Sequence, residues 1–405
     1  MTKFYFDIRD VFRAPRLALS PKKILLQFWG VLIGYTAYLF FTYLAFLSNG
    51  VGLHAIWENH GFFPLDDFPI LHWYGWVIFG IGCLFALVCW LLTSAMVAKV
   101  TFEQLKGDDF YSSKEAFRFL KKKWAPVLLS PFCMLAFIVF LLVCGIIVGL
   151  LGKIPYAGEI GIGIFYLIPL FAVALALAYV ILIFLVSLLL SPAVVATLKE
   201  DTFETIVQTF STVGSQPWRY FLYSGLVGAM SKVCMFIFGY FSLRAGQLIH
   251  LSCKVFMGDK LSDIMDEALS YLTIPPHILD YFSNVFAGIK FRFHLPEIGP
   301  GIYLNWSGEI SALLIALSLI FIMFLVLSYG LTIISAGQTV VYVILRKKKD
   351  DDNLLERKTE TDEEEERREA EDQAKEAKEA ACPYPPSKEG DEKSPGQSEQ
   401  KSDCN

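Results

Sequence analysis

The chain reads as an all-α polytopic membrane protein: a bundle of six transmembrane helices with amphipathic helices at the membrane surface and a polar C-terminal tail. Three observations predict this. Six long apolar stretches run at about 24–47, 71–99, 125–151, 160–192, 221–243 and 310–345. Each is at or above the roughly 20 apolar residues a helix needs to cross a bilayer core of about 30 Å. Hydrophobic residues make up 55% of the chain and charged residues 19%, and its 35 phenylalanines are more than a soluble domain of 405 residues carries. Finally, lysine and arginine fall in alternate loops, as the positive-inside rule requires of a multi-pass protein.

The net charge of −5 hides a split. Residues 347–405 hold 12 of the 35 basic and 20 of the 40 acidic residues, a net of −8, which leaves residues 1–346 at +3. The chain therefore divides into a leader (1–23), a six-span domain (24–346) and a charged tail (347–405).

The leader carries Lys3, Arg9, Arg13, Arg16, Lys22 and Lys23, with Val11, Phe12, Leu17 and Leu19 making it amphipathic. The apolar run that follows is longer than a signal-peptide core, and no small-residue cleavage site follows Leu47. A retained first span is expected. The first loop, about 48–70, has no Lys or Arg, only Glu58, Asp66 and Asp67. The second carries Lys99, Lys106, Lys114, Arg118 and Lys121–Lys123; the third has Lys153; the fourth has Lys199 and Arg219. The last span leaves through Arg346-Lys347-Lys348-Lys349. This alternation predicts that both termini are cytoplasmic.

Three times a short amphipathic segment precedes a span on the cytoplasmic side. The leader enters span one through Pro21 and Lys22-Lys23. The second copy has Ser113 as candidate N-cap, then Phe117, Leu120, Lys121–Lys123 and Trp124. In the third, Asp201 and Glu204 have the spacing of a capping box. Phe203, Ile206, Val207, Phe210 and Val213 then share a helix face, Gly214 ends the helix, and Pro217-Trp218-Arg219 anchors span five. Such helices either lie in the headgroup layer or tuck against the ends of the bundle.

The segment 257–305 is predicted to form an outer cap. Leu261, Ile264, Met265, Leu269 and Leu272 make a helical stripe opposite Asp263, Asp266 and Glu267, and Pro275-Pro276 stops it. A second stretch contains Phe282, Val285, Phe286 and Ile289, and Gly299-Pro300-Gly301 turns toward Trp306. After Leu355 no Val, Ile, Leu, Met, Phe or Trp occurs, so the tail has nothing to build a core with and disorder is expected.

Within the spans, Gly30-x-x-x-Gly34 and Gly145-x-x-x-Gly149 are candidate packing faces where helices approach closely. Pro131 and Pro169 are candidate kinks. Lys232 is the strongly charged side chain deepest in a span, about 21 Å from Trp218 at about 1.5 Å per residue. It either serves a pathway or ion pair, with Glu159 or Glu309 as partner, or extends its stem to the outer headgroups. No Asp or Glu occupies mid-span, which argues against a proton relay. His54, His60, His72, His277 and His294 fall in outer segments with Asp66 and Asp67, but without metal-ligand spacing. The six membrane cysteines, from Cys83 to Cys253, read as packing residues, and Cys382 and Cys404 lie in the tail. No nucleophile elbow or nucleotide-binding loop is present. No cofactor, metal or nucleic-acid partner is expected; membrane lipids are, as is a protein partner through the tail or the bundle.

Two regions carry a resemblance. Gly152-Lys153-Ile154-Pro155-Tyr156-Ala157-Gly158-Glu159 leads into a span ending Ser191-Pro192-Ala193, then Asp201-Thr202-Phe203-Glu204 and Gln216-Pro217-Trp218-Arg219. The last span exits through Gly337-Gln338-Thr339-Val340-Val341-Tyr342 and Leu345-Arg346. Over about 20–346 the chain resembles a family of uncharacterised bacterial six-span membrane proteins, distantly similar to the membrane domain of some glycerophosphodiester phosphodiesterases. The resemblance implies the fold and a bacterial inner membrane, and carries over no catalytic residue. The expected function is a non-enzymatic membrane-organising, scaffold or accessory subunit; the alternative is a transporter of a lipid or other largely apolar solute.

Overall fold

The computed structural model describes residues 4–62, 64, 72–198, 201–272 and 305–356. Its elements are α1 (Ile8–Val11), α2 (Ala14–Ala18), α3 (Pro21–Ser48), α4 (Leu53–His60), α5 (Trp73–Lys106), α6 (Ser113–Leu151) and α7 (Ala157–Phe165). A π-helical turn, Tyr166–Leu170, leads into α8 (Phe171–Leu198), followed by α9 (Thr202–Ser215), α10 (Pro217–Met257), α11 (Asp259–Ser270) and α12 (Trp306–Asp350). No strand occurs among the described residues. Among the described residues six helices are long and apolar enough to cross a membrane: Pro21–Ser48, Trp73–Lys106, Ser113–Leu151, Ile168–Leu198, Pro217–Met257 and Trp306–Asp350. The protein is an all-α, multi-pass membrane bundle.

Local chemistry sets the helix ends. Proline begins α3 and α10, where its missing N–H costs nothing. Gly107 ends α5 at φ 110° and Gly258 ends α10 at φ 60°, both at positive φ, which a side chain disfavours. The capping box of α6 is real but starts at Ser112, not Ser113: Glu115 N–H donates to Ser112 Oγ (3.3 Å) and Ser112 N–H donates to Glu115 Oε2 (2.7 Å). The box expected at Asp201 does not form. Lys123 reaches the Asp201 carboxylate at 3.5 Å, and Glu204 accepts from Gln208 at 2.6 Å.

Proline acts where its ring meets the preceding turn. Pro169 lies inside the π-helical turn. In α6 the break falls at Lys123 (φ −123°, ψ 23°), three residues before Pro126, and not at Pro131. The ring of a helical proline crowds the turn before it, which places the disturbance there.

Several boundaries move. The apolar stretch predicts span five over 221–243, yet α10 runs for 41 residues to Met257. α12 continues to Asp350, and Leu354, 1% exposed, packs into the core. The compact unit accordingly ends at Leu355 rather than 346. At about 1.5 Å per residue the 45 residues of α12 span about 67 Å, more than twice a bilayer core.

The extra length is used at one end. Thr93–Glu103 of α5, Leu190–Leu198 of α8 and Ser335–Leu345 of α12 are buried at every position. A span in a single layer of helices keeps a side toward lipid; these segments have none because other elements surround them. Val11 of α1 and Val213 of α9 join this core, with Tyr220 and Val227 of α10. Ala116 and Leu120 of α6 cover α5. We call this the basic end, since it holds the leader and the loop cations. Toward the opposite end, α11 lays Ile264, Ala268 and Leu272 against Ala312 and Ala316 of α12. This matches the stripe read for the outer cap; the rest of that cap, from 273 to 304, and the tail from 357 lie outside the described residues.

α9 follows its apolar pattern in part: Ile206, Phe210 and Val213 pack against the core. It buries Thr205, Thr209, Thr212 and Val213, and leaves Phe203 76% exposed. The threonines can be buried because their hydroxyls bond within the helix, Thr205 to Asp201 O (2.9 Å) and Thr209 to Thr205 O (2.8 Å).

Candidate functional site

Buried charges mark the basic end. Lys23, in the first turn of α3, is 1% exposed. Its ammonium donates to Leu17 O at 2.9 Å and to Gln104 Oε1 of α5 at 2.7 Å. A buried cation that gives its protons to neutral oxygens keeps part of its solvation. One turn on, Gln27 is wholly buried on the same helix face, and its amide has no hydrogen-bond partner among the described residues. Lys99 and Glu103 of α5 form a buried ion pair at i,i+4, with side chains 3% and 6% exposed. Lys99 Nζ also lies 5.6 Å from the Phe102 ring and 5.3 Å from that of Phe119 on α6.

The exit run of cations is a clamp. Arg346 donates to Gln208 of α9 and Lys349 to Ser211 of α9. Lys348 pairs with Asp7 of the leader at 3.0 Å, while Lys347 reaches Asp351 at 2.9 Å and Arg346 reaches Asp350 at 3.0 Å. The residues that read from sequence as an orientation signal tie leader, α9 and α12 together.

The intramembrane charges read from sequence do not converge. Lys232 is exposed on α10. Glu159 is exposed in the first turn of α7, and Glu309 in the first turn of α12; neither pairs with Lys232 among the described residues. Glu309 instead faces α11: burial, with the Glu267 and Glu309 carboxylates, pushes the Tyr271 phenol above its usual range. The expected Lys232 ion pair with either carboxylate is not formed among the described residues; Ser231, next to Lys232, bonds Gly330 O far along α12, whereas Glu309 lies in the first turn of that helix.

The two glycine motifs separate. A Cβ on Gly30 would stand 2.3 Å from Thr93 Cγ2, and one on Gly34 would stand 3.4 Å from the Ala86 backbone, so α3 and α5 approach closely there. Gly145 and Gly149 face open space, with nothing within 4 Å. Among the described residues that second motif meets no neighbouring helix. Two glycines not singled out from sequence do hold helices together: Gly337 lies against Val227 (2.4 Å from a built Cβ) and Gly330 against Met235 (3.0 Å). Ser231 Oγ adds a hydrogen bond to Gly330 O at 2.7 Å, and Ser224 donates to Gln338 at 3.2 Å. The seven-residue spacing of these glycines on one helix face was the available signal.

Two of the outer histidines have structural work. His60 stacks on Phe46 with centroids 5.0 Å apart, and His72 bonds Asn49 Oδ1 through its backbone N–H (2.7 Å) and its ring Nδ1 (2.8 Å). His277 and His294 lie outside the described residues, as do Asp66 and Asp67. Among the described residues no group of three or more His, Cys, Asp or Glu could hold a metal. An apolar hollow of about 210 Å³ opens between the leader, α10 and α12, lined by Leu19, Cys234, Ile237, Phe238, Phe241 and Tyr329.

Comparison of the chain with protein-family models, with curated proteins and with solved structures finds no match. The assignment thus rests on class: a six-span helical membrane protein whose charges are concentrated at one closed end.

Proposed function

We propose that this chain is a non-enzymatic scaffold or accessory subunit of a membrane complex, with both termini in the cytoplasm of a bacterial cell and the bundle in its inner membrane. Its relation to the six-span family with glycerophosphodiester phosphodiesterase-like membrane domains is part of the proposal. The observation that carries it is the clamp from Arg346 to Lys349. These cations bond Gln208, Ser211 and Asp7, holding peripheral helices on a central core. A pathway for a solute needs elements that part; a platform needs elements tied together. The polar tail beyond Leu355, which lacks the apolar residues a core needs, supplies reach for a partner.

Mild cross-linking in native membranes, followed by purification of the full chain and mass measurement, tests this. A complex of fixed stoichiometry that loses its partner when residues after Leu355 are removed, or when the bundle surface is altered, is the expected result. A protein that stays alone in membranes and in detergent sinks the scaffold reading. Cysteine labelling tests the orientation: positions near Asp66 and Pro275 should react from outside intact cells, and positions near Lys106 and Glu365 should not. Outside labelling at Lys106 reverses the topology.

The alternative, transport of a lipid or another largely apolar solute, draws on the 210 Å³ hollow, whose lining would suit an acyl chain. Reconstitution into vesicles with a labelled phospholipid decides it. Movement across the bilayer that depends on the protein and fails when Phe238 is replaced by Trp favours transport over scaffolding.

A further inference from the structure

The cations of the basic end fall into two groups. One is neutralised: Lys123 by Asp201 (3.5 Å), Arg346 by Asp350 (3.0 Å), Lys347 by Asp351 (2.9 Å) and Lys348 by Asp7 (3.0 Å). The other is not. Lys22 of α3 and Lys114, Arg118, Lys121 and Lys122 of α6 are exposed and form no ion pair among the described residues. The nearby carboxylate of Glu115 is held by the Ser112 backbone N–H (2.7 Å) and hydroxyl (2.9 Å). Lys22 stands at the same corner on α3, whose Leu26, one turn on, packs against the cluster that holds Ala116 and Leu120 of α6. Asp109, in the preceding turn, is exposed and forms no ion pair with these cations among the described residues.

The geometry of this segment is that of a headgroup-level helix. Before the break at Lys123, α6 turns Ala116 and Leu120 onto Leu91, Ala95, Met96 and Val100. Lys114, Phe117, Arg118 and Lys121 recur at helical spacing on the other side, and Trp124 opens the span. The Phe117 and Trp124 rings are 51% and 53% exposed, and Lys121 Nζ sits 5.0 Å from the Phe117 centroid. Unpaired cations beside exposed rings, at the point where a span begins, match a phosphate at the membrane surface with acyl chains next to it. We infer that the α3–α6 corner binds the headgroup of an anionic phospholipid, with Lys22, Lys114, Arg118, Lys121 and Lys122 as its counter-charges and Phe117 and Trp124 set into the acyl boundary. The inference rests on the multi-pass membrane fold and stands independently of the scaffold reading.

The test uses the full chain in a neutral detergent, exposed to equal amounts of phosphatidylglycerol and phosphatidylcholine, with retained lipid counted by native mass spectrometry. Wild type should retain phosphatidylglycerol preferentially, and the preference should fall about fivefold per cation removed. The variant Lys114→Gln/Arg118→Gln/Lys121→Gln/Lys122→Gln should retain the two lipids equally. Lys254→Gln/Lys260→Gln, which removes exposed cations elsewhere, should behave as wild type. Raising the salt tenfold from about 0.1 M, where the screening length is about 10 Å, should erase the preference of wild type without any substitution. That arm decides the matter if the quadruple variant does not fold. Equal retention of the two lipids by wild type, an undiminished preference in the folded quadruple variant, or a preference indifferent to salt overturns the inference. So does protection of the protein by inorganic phosphate equal to that by phosphatidylglycerol, which would mark a free-anion site in place of a lipid site.

Discussion

Two glycines with the same sequence motif face opposite fates. At Gly30 a methyl group would fall 2.3 Å from Thr93 Cγ2 and 2.8 Å from its Cβ. Gly30→Ala should therefore lower stability by about 1–3 kcal/mol, as overpacking of a close interface does. Gly145→Ala meets nothing within 4 Å and gains helix propensity, so its thermal unfolding in detergent should match or slightly exceed wild type. A Gly30→Ala protein as stable as wild type would show that α3 and α5 are not packed as described. The lysines divide in the same way. Lys23→Met strips the partly buried Leu17 O and Gln104 Oε1 of a donor and should cost about 1–3 kcal/mol. Lys232→Met removes a cation from an exposed stretch of α10 and should leave the amount of inserted protein unchanged. A Lys232→Met protein that folds but loses whatever activity is assayed would return that residue to a functional role.

At the scale of an element, α6 and α9 test what a cap contributes. Ser112 and Glu115 exchange hydrogen bonds in both directions, whereas Asp201 makes no side-chain cap bond. Ser112→Ala should cost about 1 kcal/mol. Asp201→Ala should cost less, removing only a 3.5 Å contact with Lys123 whose carboxylate side is 92% exposed. Equal losses in the two thermal melts would contradict this difference. α9 also shows why apolar patterning alone misplaces a face. Phe203 and Val207 belong to its most apolar stripe, yet they point outward, because α9 sits beside a core that accepts Thr205, Thr209 and Thr212 with their hydroxyls already bonded.

For the whole molecule, the closed basic end and the point where the compact unit stops give one experiment. Leu354 is 1% exposed and Leu355 packs beside it, so a chain ending at Leu355 should insert and keep the melting temperature of the full protein. A chain ending at Arg346 loses the bonds of Lys348 to Asp7 and of Lys349 to Ser211 along with Leu354, and should melt several degrees lower. If both truncations melt alike, the clamp contributes nothing to the fold.

The six spans, the division of charge between bundle and tail, and the close approach at Gly30 were legible in the sequence, because each depends on residues near one another in the chain or on a helical period. Transfer of apolar residues into lipid is decided segment by segment, so a run of about 20 is enough to announce a span. What tertiary structure decided are the pairings between distant segments. Lys23 is buried only because Gln104 and Leu17 O come to it, 81 and 6 residues away. The exit cations become a clamp only because Asp7, Gln208 and Ser211 are brought alongside them. Gly145 and Gly149 stay open because none of the described helices arrives there, while Gly330 and Gly337 are filled because α10 does. A side chain's partner is set by which helices meet and in what register, and no local pattern encodes that meeting.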